Sequence, residues 1–168
     1  IEHFGMTEAG NFEGANIPVR ATPDAPHRDE LRARLYAARA QRVWPGLDDK
    51  RLTSWNALMV SALADAAAAF DDQDYRDAAV LCADFLVTTM RDDGGRLLRT
   101  YNRGRARLRA VLEDHAFLLE ALLTLYEATF DPRWFGEARR LADEILDRFA
   151  DAEHGGFFST ADDHETLI

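Results

Sequence analysis

The fold is decided by residues 113–130, EDHAFLLEALLTLYEATF. This stretch lacks Gly and Pro and is rich in Leu and Ala, a composition that predicts a long helix. Its apolar side chains point around nearly the whole circumference, so one contact on one side could not bury them and neighbours must lie on several flanks. The exception is the first turn, where Glu113, Asp114 and His115 place three ionisable groups in a row. Chemistry is therefore expected at this end of the helix.

A similar pattern occurs earlier in the chain, shifted by the 59 residues that separate Asp72 from Asp131. Each unit contains one helix that is apolar nearly all round, a short acidic turn, an amphipathic helix and a Gly-Gly exit. This order predicts a repeat of αα-hairpins, with hairpin one over 53–91 and hairpin two over 113–150. The first helix of each hairpin should lie inside and the second outside, as in a two-ring helical toroid or a solenoid.

Shorter elements surround the two hairpins. Residues 1–27 are punctuated by Gly and Pro and predict an irregular lead-in, whereas residues 28–42 predict a helix. Loose alternation over 97–101 and 105–111, on either side of a turn at Asn102-Arg103-Gly104, predicts a β-hairpin. The expected fold class is therefore all-α, a partial (α/α) toroid built of αα-hairpins with short β-hairpin connections.

The composition narrows the classes of partner. The 168 residues include 30 Asp and Glu against 20 Lys and Arg, and the resulting net charge of -10 disfavours nucleic acid and anionic membranes as partners. No apolar run approaches the roughly 20 residues that a membrane span needs, and the opening lacks the pattern of a signal peptide. The single cysteine, Cys82, excludes an internal disulfide and is predicted to be a buried, inert thiol. We expect a soluble, cytoplasmic protein.

The two ends of the sequence predict an excised piece, because the chain begins at Ile1 and stops in an apolar run at 166–168. Two hairpins and one preceding helix would form an open arc rather than a closed ring. We therefore expect exposed apolar edges, which the chain covers by self-association or by a missing remainder of the domain.

The leading ends of the inner helices form the candidate site. A repeat places equivalent ends at the same height, so the groups that open the two inner helices should converge on one rim. Carboxylates together with an aromatic ring and an amide make a sugar-type pocket possible, with one carboxyl group as acid and another as base or nucleophile, roughly 5 to 10 Å apart. The residues concerned are Asp49, Lys50, Trp55, Asn56, Glu113, Asp114 and His115.

Structural roles compete with this interpretation. Acidic residues are common at helix N-termini, because they satisfy free N–H groups and interact favourably with the helix dipole. By the same reasoning Lys50 is an ion-pair partner and His115 a hydrogen-bonded structural histidine, and Trp55 is explained more readily by core packing than by stacking on a ligand. The histidines show no metal-ligand spacing and no phosphate loop or nucleophile elbow is present, so no metal or cofactor is expected.

Six motifs occur in order over almost the whole chain: GNFEG at 10–14, DDK at 48–50, LTSWN at 52–56, LED at 112–114, LYEATFD at 125–131 and GGFF at 155–158. Together they resemble the thioredoxin-domain-containing, spermatogenesis-associated protein 20-like family. The resemblance implies an (α/α)6 toroid of the six-hairpin glycosidase type, similar to N-acylglucosamine 2-epimerases, which follows a thioredoxin-like domain in full-length members. This chain would be an interior piece of that toroid. His115 departs from the pattern, since a Tyr is expected at its position.

The resemblance implies a carbohydrate-active domain, glycoside hydrolase-like or sugar epimerase-like, with a carbohydrate as ligand. Asp49 and Asp114 are then the candidate acid and base, with Glu113 as a substitute. The candidates for substrate binding are Lys50, Trp55, Asn56 and His115. The alternative is a non-catalytic helical scaffold that binds another protein. The isolated chain is expected to be inactive in either case, because half a cavity rarely holds a substrate.

Overall fold

The computed structural model describes residues 2–20 and 27–163. The chain divides into two units, residues 1–47 and residues 48–168. The single domain that the sequence predicts over 1–168 stays a prediction. All seven residues of the candidate site lie in the second unit.

The first unit contains a loop and one long helix. A short 3-10 helix, Glu2–Phe4, opens the loop, and helix α1 covers Arg28–Ala40, ending two residues before the predicted limit of 42. The side-chain amide of Asn11 holds the loop, since it donates to the carbonyl oxygens of Gly5 and Ile17 at 3.0 and 2.8 Å. Within the predicted irregular lead-in, residues 1 and 21–26 lie outside the described residues, as does the apolar run at 166–168.

The predicted repeat of αα-hairpins is confirmed in the second unit. Its four helices are α2 (Thr53–Phe70), α3 (Gln73–Thr88), α4 (Leu112–Thr129) and α5 (Pro132–Arg148). The two inner helices, α2 and α4, begin and end 59 residues apart, which is the interval of the sequence pattern.

The turns inside the two hairpins also repeat. Asp72 and Asp131 are the N-caps of α3 and α5, and each carboxylate accepts the backbone N–H two residues ahead, at 2.8 and 2.9 Å. The residues directly before them, Asp71 and Phe130, adopt the left-handed conformation with φ of 51° and 56°. This conformation ends a helix and redirects the chain. Both hairpins therefore turn by the same backbone path.

The four helices pack in two layers. α2 packs against α3 and α4, and α4 packs against α5; Arg133 of α5 pairs with Asp84 of α3 at 2.6 Å, so the outer helices are neighbours too. At the start of the inner helices, the backbone N–H of Ser54 donates to the carboxylate of Asp114 at 3.1 Å. The inner helices therefore begin side by side and run in the same direction. Their shared core is built largely of small and branched residues, among them Ala57, Val60, Ala64, Ala121 and Leu122.

A small antiparallel sheet lies at the entrance to the inner helices. Its strands, in spatial order, are β1 (Arg51–Leu52), β2 (Leu98–Asn102) and β3 (Arg105–Arg109). Arg103 and Gly104 form the turn of the predicted β-hairpin, with positive φ of 48° and 78°, as a two-residue type I′ turn requires. The hydroxyl of Thr53 donates to the carbonyl oxygen of Leu98 at 2.6 Å. The sheet is thus anchored to the first residue of α2.

One face of α2 stays exposed, opposite the face that enters the core. It carries Trp55, Leu58 and Met59, of which Trp55 is 69% exposed. This differs from the core-packing interpretation of Trp55, because the first turn of α2 presents the indole to the side that neither α3 nor α4 covers. Within the described ranges, none of the helices has the length and apolarity of a membrane span.

Candidate functional site

Asp114 is the centre of the rim formed by the inner helices. Its carboxylate is completely buried and accepts the backbone N–H of Ser54 at 3.1 Å, the backbone N–H of Val111 at 3.0 Å and the guanidinium of Arg99 at 2.8 Å. The bond from Val111 is one half of a capping box, since Asp114 occupies the third position of α4. A single carboxylate therefore holds together the starts of α2 and α4 and strand β2.

Glu113 is the exposed carboxylate of the same rim. Its side chain is 48% exposed, and its oxygen lies 3.9 Å from the guanidinium of Arg99. Arg99 therefore stands between an accessible carboxylate and the buried one of Asp114. The sequence alone did not identify Arg99 as part of the site. The only available signal was the alternation of side chains along β2, which places Arg99 on the same face as the half-buried Tyr101.

His115 lies on the other side of α4, away from the exposed face of α2. The ring is 2% exposed; its Nδ1–H donates to the carbonyl oxygen of Val111 at 2.9 Å, and its Nε2 is 3.5 Å from a carboxylate oxygen of Glu144 on α5. The ring also packs against Phe149, with centroids 4.9 Å apart. These contacts place the His115 ring between α4 and α5, and its role in substrate binding stays a prediction.

Trp55 and Asn56 follow one another in the first turn of α2 but have different environments. The Trp55 indole is open, as described above. The side-chain amide of Asn56 donates to the carbonyl oxygen of Leu52 at 2.7 Å, and its Oδ1 lies 3.9 Å from the sulfur of Cys82. Cys82 is half-buried, and burial raises the pKa of its thiol, which disfavours the reactive thiolate. Only Trp55 of this group is freely accessible to a ligand.

Asp49 and Lys50 lie at the far end of the small sheet. Asp49 accepts the side-chain amide of Asn102 at 2.5 Å, and Lys50 pairs with Asp48 at 3.3 Å. Asn102 is three residues beyond Arg99 on strand β2, which corresponds to about 10 Å at roughly 3.3 Å per residue. The two predicted catalytic carboxylates, Asp49 and Asp114, are therefore attached to different points of one strand.

A second buried ionic cluster connects α5 to the turn after α3. The side chain of Arg91 is 7% exposed, contacts Glu137 and Glu144 at 3.2 and 3.3 Å, and donates to the carbonyl oxygen of Gly95 at 2.7 Å. Burial acts to raise the pKa of the Glu144 carboxyl, but the adjoining His115 ring and the charge of Arg91 outweigh it and hold that pKa below its ordinary value. In the part of the chain that the structure describes, no three or more His, Cys, Asp or Glu side chains form a group that could hold a metal ion.

Two tandem αα-hairpins, with their inner helices parallel in one layer and their outer helices in another, define a domain of the (α/α) toroid class. The chain belongs to the N-acylglucosamine 2-epimerase (GlcNAc 2-epimerase) family, whose model matches residues 24–165. The fold class predicted from the sequence is confirmed.

Spermatogenesis-associated protein 20 of Homo sapiens is 32% identical to this chain over 191 residues. The alignment covers 94% of this chain and 24% of that protein, so the chain spans about a quarter of the length of the curated relatives it matches. This similarity confirms the resemblance that the six motifs indicated.

Two solved structures share the fold. The cellobiose 2-epimerase of Spirochaeta thermophila aligns with a TM-score of 0.63 and 18% identity, covering 86% of this chain and 43% of that one. The GH76 α-mannanase of Bacteroides thetaiotaomicron aligns with a TM-score of 0.60 and 18% identity, covering 69% and 33%. At this level of identity the similarity concerns the arrangement of the helices and not the chemistry of the site.

Proposed function

We propose that this chain is part of a carbohydrate-active domain, epimerase-like or glycoside hydrolase-like, which holds a sugar at the rim where α2 and α4 begin. Membership of the N-acylglucosamine 2-epimerase family supports the substrate class. The proposed location rests on one observation: the carboxylate of Asp114 in α4 accepts the backbone N–H of Ser54 in α2. This bond joins the starts of the two helices, where the exposed indole of Trp55 and the accessible carboxylate of Glu113 lie. Concave rims between helices are common positions for such sites.

The roles within this site follow from accessibility. Trp55 offers a flat apolar face against which the C–H face of a sugar ring packs. Glu113 is the carboxylate that can exchange a proton with a bound sugar, and Asp49 is the second accessible carboxylate. Asp114 is completely buried and its carboxylate accepts three hydrogen bonds, so we assign it the role of positioning Arg99 and the two helix starts. Lys50 stays a candidate hydrogen-bond donor at the sheet end of the rim.

The proposal extends to the protein around this chain. The chain spans about a quarter of its curated relatives, and the family resemblance implies further hairpins and a thioredoxin-like domain in a cytoplasmic protein. We propose that those hairpins complete the cavity, because two hairpins supply only one arc of its wall. The chain on its own should therefore bind sugar weakly and show no turnover.

A first prediction tests the aromatic face. Trp55→Ala should weaken the binding of N-acetylglucosamine and of a neutral disaccharide about 5-fold, because one stacked aromatic contact contributes on the order of 1 kcal/mol. Binding is followed by NMR shift titration, in this chain and in any longer protein that contains it. Phe70→Ala is the matched control, since Phe70 is equally exposed on the far end of α2. Equal effects of the two variants, or no binding of either sugar, would remove the sugar site.

The exposed face of α2 also favours a second candidate function, a helical scaffold that binds protein. Trp55, Leu58 and Met59 form an apolar stripe on one side of this helix, each about half exposed or more. Contiguous exposed apolar surface is typical of protein contacts. In this case the stripe binds a partner protein or a second copy of this chain rather than a sugar.

A second prediction separates the two candidates. On the scaffold interpretation, size-exclusion chromatography with light scattering should show concentration-dependent self-association, and the double variant Leu58→Ser, Met59→Ser should shift the chain to monomer because it removes most of the stripe. Leu81→Ser is the control, since Leu81 is exposed on α3 and lies outside the stripe. A monomeric chain at high concentration would count against self-association.

A further inference from the structure

The small sheet carries a groove on the face turned away from the helices, and this groove shares Lys50 with the sheet end of the proposed sugar site. The groove has a volume of about 300 Å³ and is lined by Lys50, Thr100, Asn102, Arg103, Arg105 and Arg107. We call it the hairpin groove. Every one of these side chains can donate a hydrogen bond, and four of them carry a positive charge.

The strand register explains why these side chains share one face. Thr100 lies opposite Arg107, and Asn102 lies opposite Arg105. Side chains alternate along a strand, so these two cross-strand pairs point to the same side of the sheet. Tyr101 points to the other side, where its ring meets Phe85 edge-on with centroids 5.1 Å apart. The packing of Tyr101 against α3 therefore fixes the arginines toward solvent.

Three of the four positive charges that line the hairpin groove have no carboxylate partner among the residues that the structure describes, and the fourth, Lys50, is paired with Asp48. Across residues 2–20 and 27–163, Arg103, Arg105 and Arg107 make no ion pair, whereas Arg91 and Arg99 are both paired with carboxylates. Two carboxylates adjoin the groove, Asp48 on Lys50 and Asp49 on Asn102. Like charges on adjacent positions of one sheet face are destabilising. A chain of net charge -10 thus keeps a cluster of like positive charges on one two-stranded ribbon.

We propose that the hairpin groove binds the phosphate group of a small phosphorylated ligand, of the sugar phosphate class. Guanidinium groups bind phosphate oxygens through pairs of parallel hydrogen bonds, and several of them can surround one tetrahedral anion. The Asn102 amide adds a neutral donor beside the charges, since only one of its two N–H groups is donated to Asp49. The charged residues of the hairpin groove are sufficient to predict the phosphate group, whereas the sugar portion of the ligand rests on the proposed function.

The position of the groove supports a link between the two sites. Asn102 lines the groove and also donates to Asp49, the second accessible carboxylate of the proposed sugar site. A ligand whose phosphate lies against Arg105 and Arg107 therefore has its remaining atoms beside Asp49. The sheet brings the anion site and the carboxylate together through one shared side chain.

The proposal is tested by titrating the chain with inorganic phosphate, a hexose phosphate, the same hexose without phosphate, and a short single-stranded RNA, at low ionic strength. We expect Kd of about 1 mM for inorganic phosphate and tighter binding of the hexose phosphate. The double variant R105Q/R107Q should weaken both about 10-fold or more, and added salt should weaken both as well. The matched control is Arg139→Gln, which removes one exposed guanidinium from α5.

The outcomes separate this inference from the proposed function. It is overturned if phosphate binds no tighter than chloride, if R105Q/R107Q binds phosphate like the unmodified chain, if Arg139→Gln loses as much as the double variant, or if RNA binds in preference to the phosphates. Loss of hexose binding in Trp55→Ala with no effect of R105Q/R107Q on the phosphates would retain the sugar site and remove the anion site. Phosphate binding that depends on Arg105 and Arg107, with no hexose binding at all, would do the reverse.

Discussion

Replacement of Asp114 by alanine is expected to lower the free energy of unfolding by about 3–5 kcal/mol, the range seen when one partner of a buried ion pair is removed. The substitution leaves the Arg99 guanidinium without its closest carboxylate and the backbone N–H groups of Ser54 and Val111 without an acceptor. Each buried donor left unsatisfied adds to the cost. The effect should be structural, because these bonds join α2, α4 and the sheet.

Urea denaturation followed by circular dichroism measures this change. Asp114→Asn provides a milder variant that keeps one acceptor oxygen, and it should fall between the alanine variant and the unmodified chain. Glu113→Ala is the matched control, because the Glu113 carboxylate is half exposed and lies 3.9 Å from its nearest cation, Arg99. Its effect on the free energy of unfolding should stay within about 0.5 kcal/mol. A loss of less than about 1 kcal/mol in Asp114→Ala would contradict the anchoring role of this residue.

Replacement of Arg91 by methionine is expected to destabilise the chain by about 3 kcal/mol, because it leaves the carboxylates of Glu137 and Glu144 together in a poorly solvated place without their cation. Methionine retains most of the volume of the arginine stem, so the change reports mainly on charge. Arg139→Met, on the exposed side of α5, serves as its control. Equal melting temperatures of the two variants would refute the prediction.

The same cluster predicts how stability depends on pH. The pKa of Glu144 is lowered in the folded chain from its ordinary value of 4.5. A carboxyl group with a lowered folded pKa stabilises the fold above its unfolded pKa, and this contribution is lost as the pH falls through the folded value. The unmodified chain should therefore lose stability below about pH 4.5 more steeply than Glu144→Gln. Parallel acid-denaturation curves would show that Glu144 contributes nothing to this dependence.

Much of the architecture is contained in local patterns of the sequence. The acidic turn at Asp72 and Asp131 marks two helix starts, because an N-cap depends on one side chain and the nearest backbone groups. The turn at Arg103 and Gly104 is similarly local. The two apolar helices indicated the inner layer, since a helix that is apolar nearly all round is typical of one with neighbours on several sides.

The candidate site was harder to predict, because it depends on contacts between distant segments. Asp114 is separated from Ser54 by 60 residues and from Arg99 by 15, and no local pattern shows that one carboxylate serves both. An acidic residue at a helix start looks the same in the sequence whether it faces solvent, as Glu113 does, or lies in the interior. Trp55 is likewise a residue type that is common in protein cores. It is accessible because none of the helices that the structure describes packs over its side chain.

The chain reversals at Asp71 and Phe130 show which property the two hairpins have in common. Asp enters the left-handed region readily, whereas an aromatic residue does so at a cost of about 1 kcal/mol. Both residues nevertheless adopt nearly the same φ at equivalent points of the repeat. The two hairpins thus share the geometry of the reversal and not the identity of the residue, so a substitution at Asp71 or Phe130 is judged by the backbone conformation it allows.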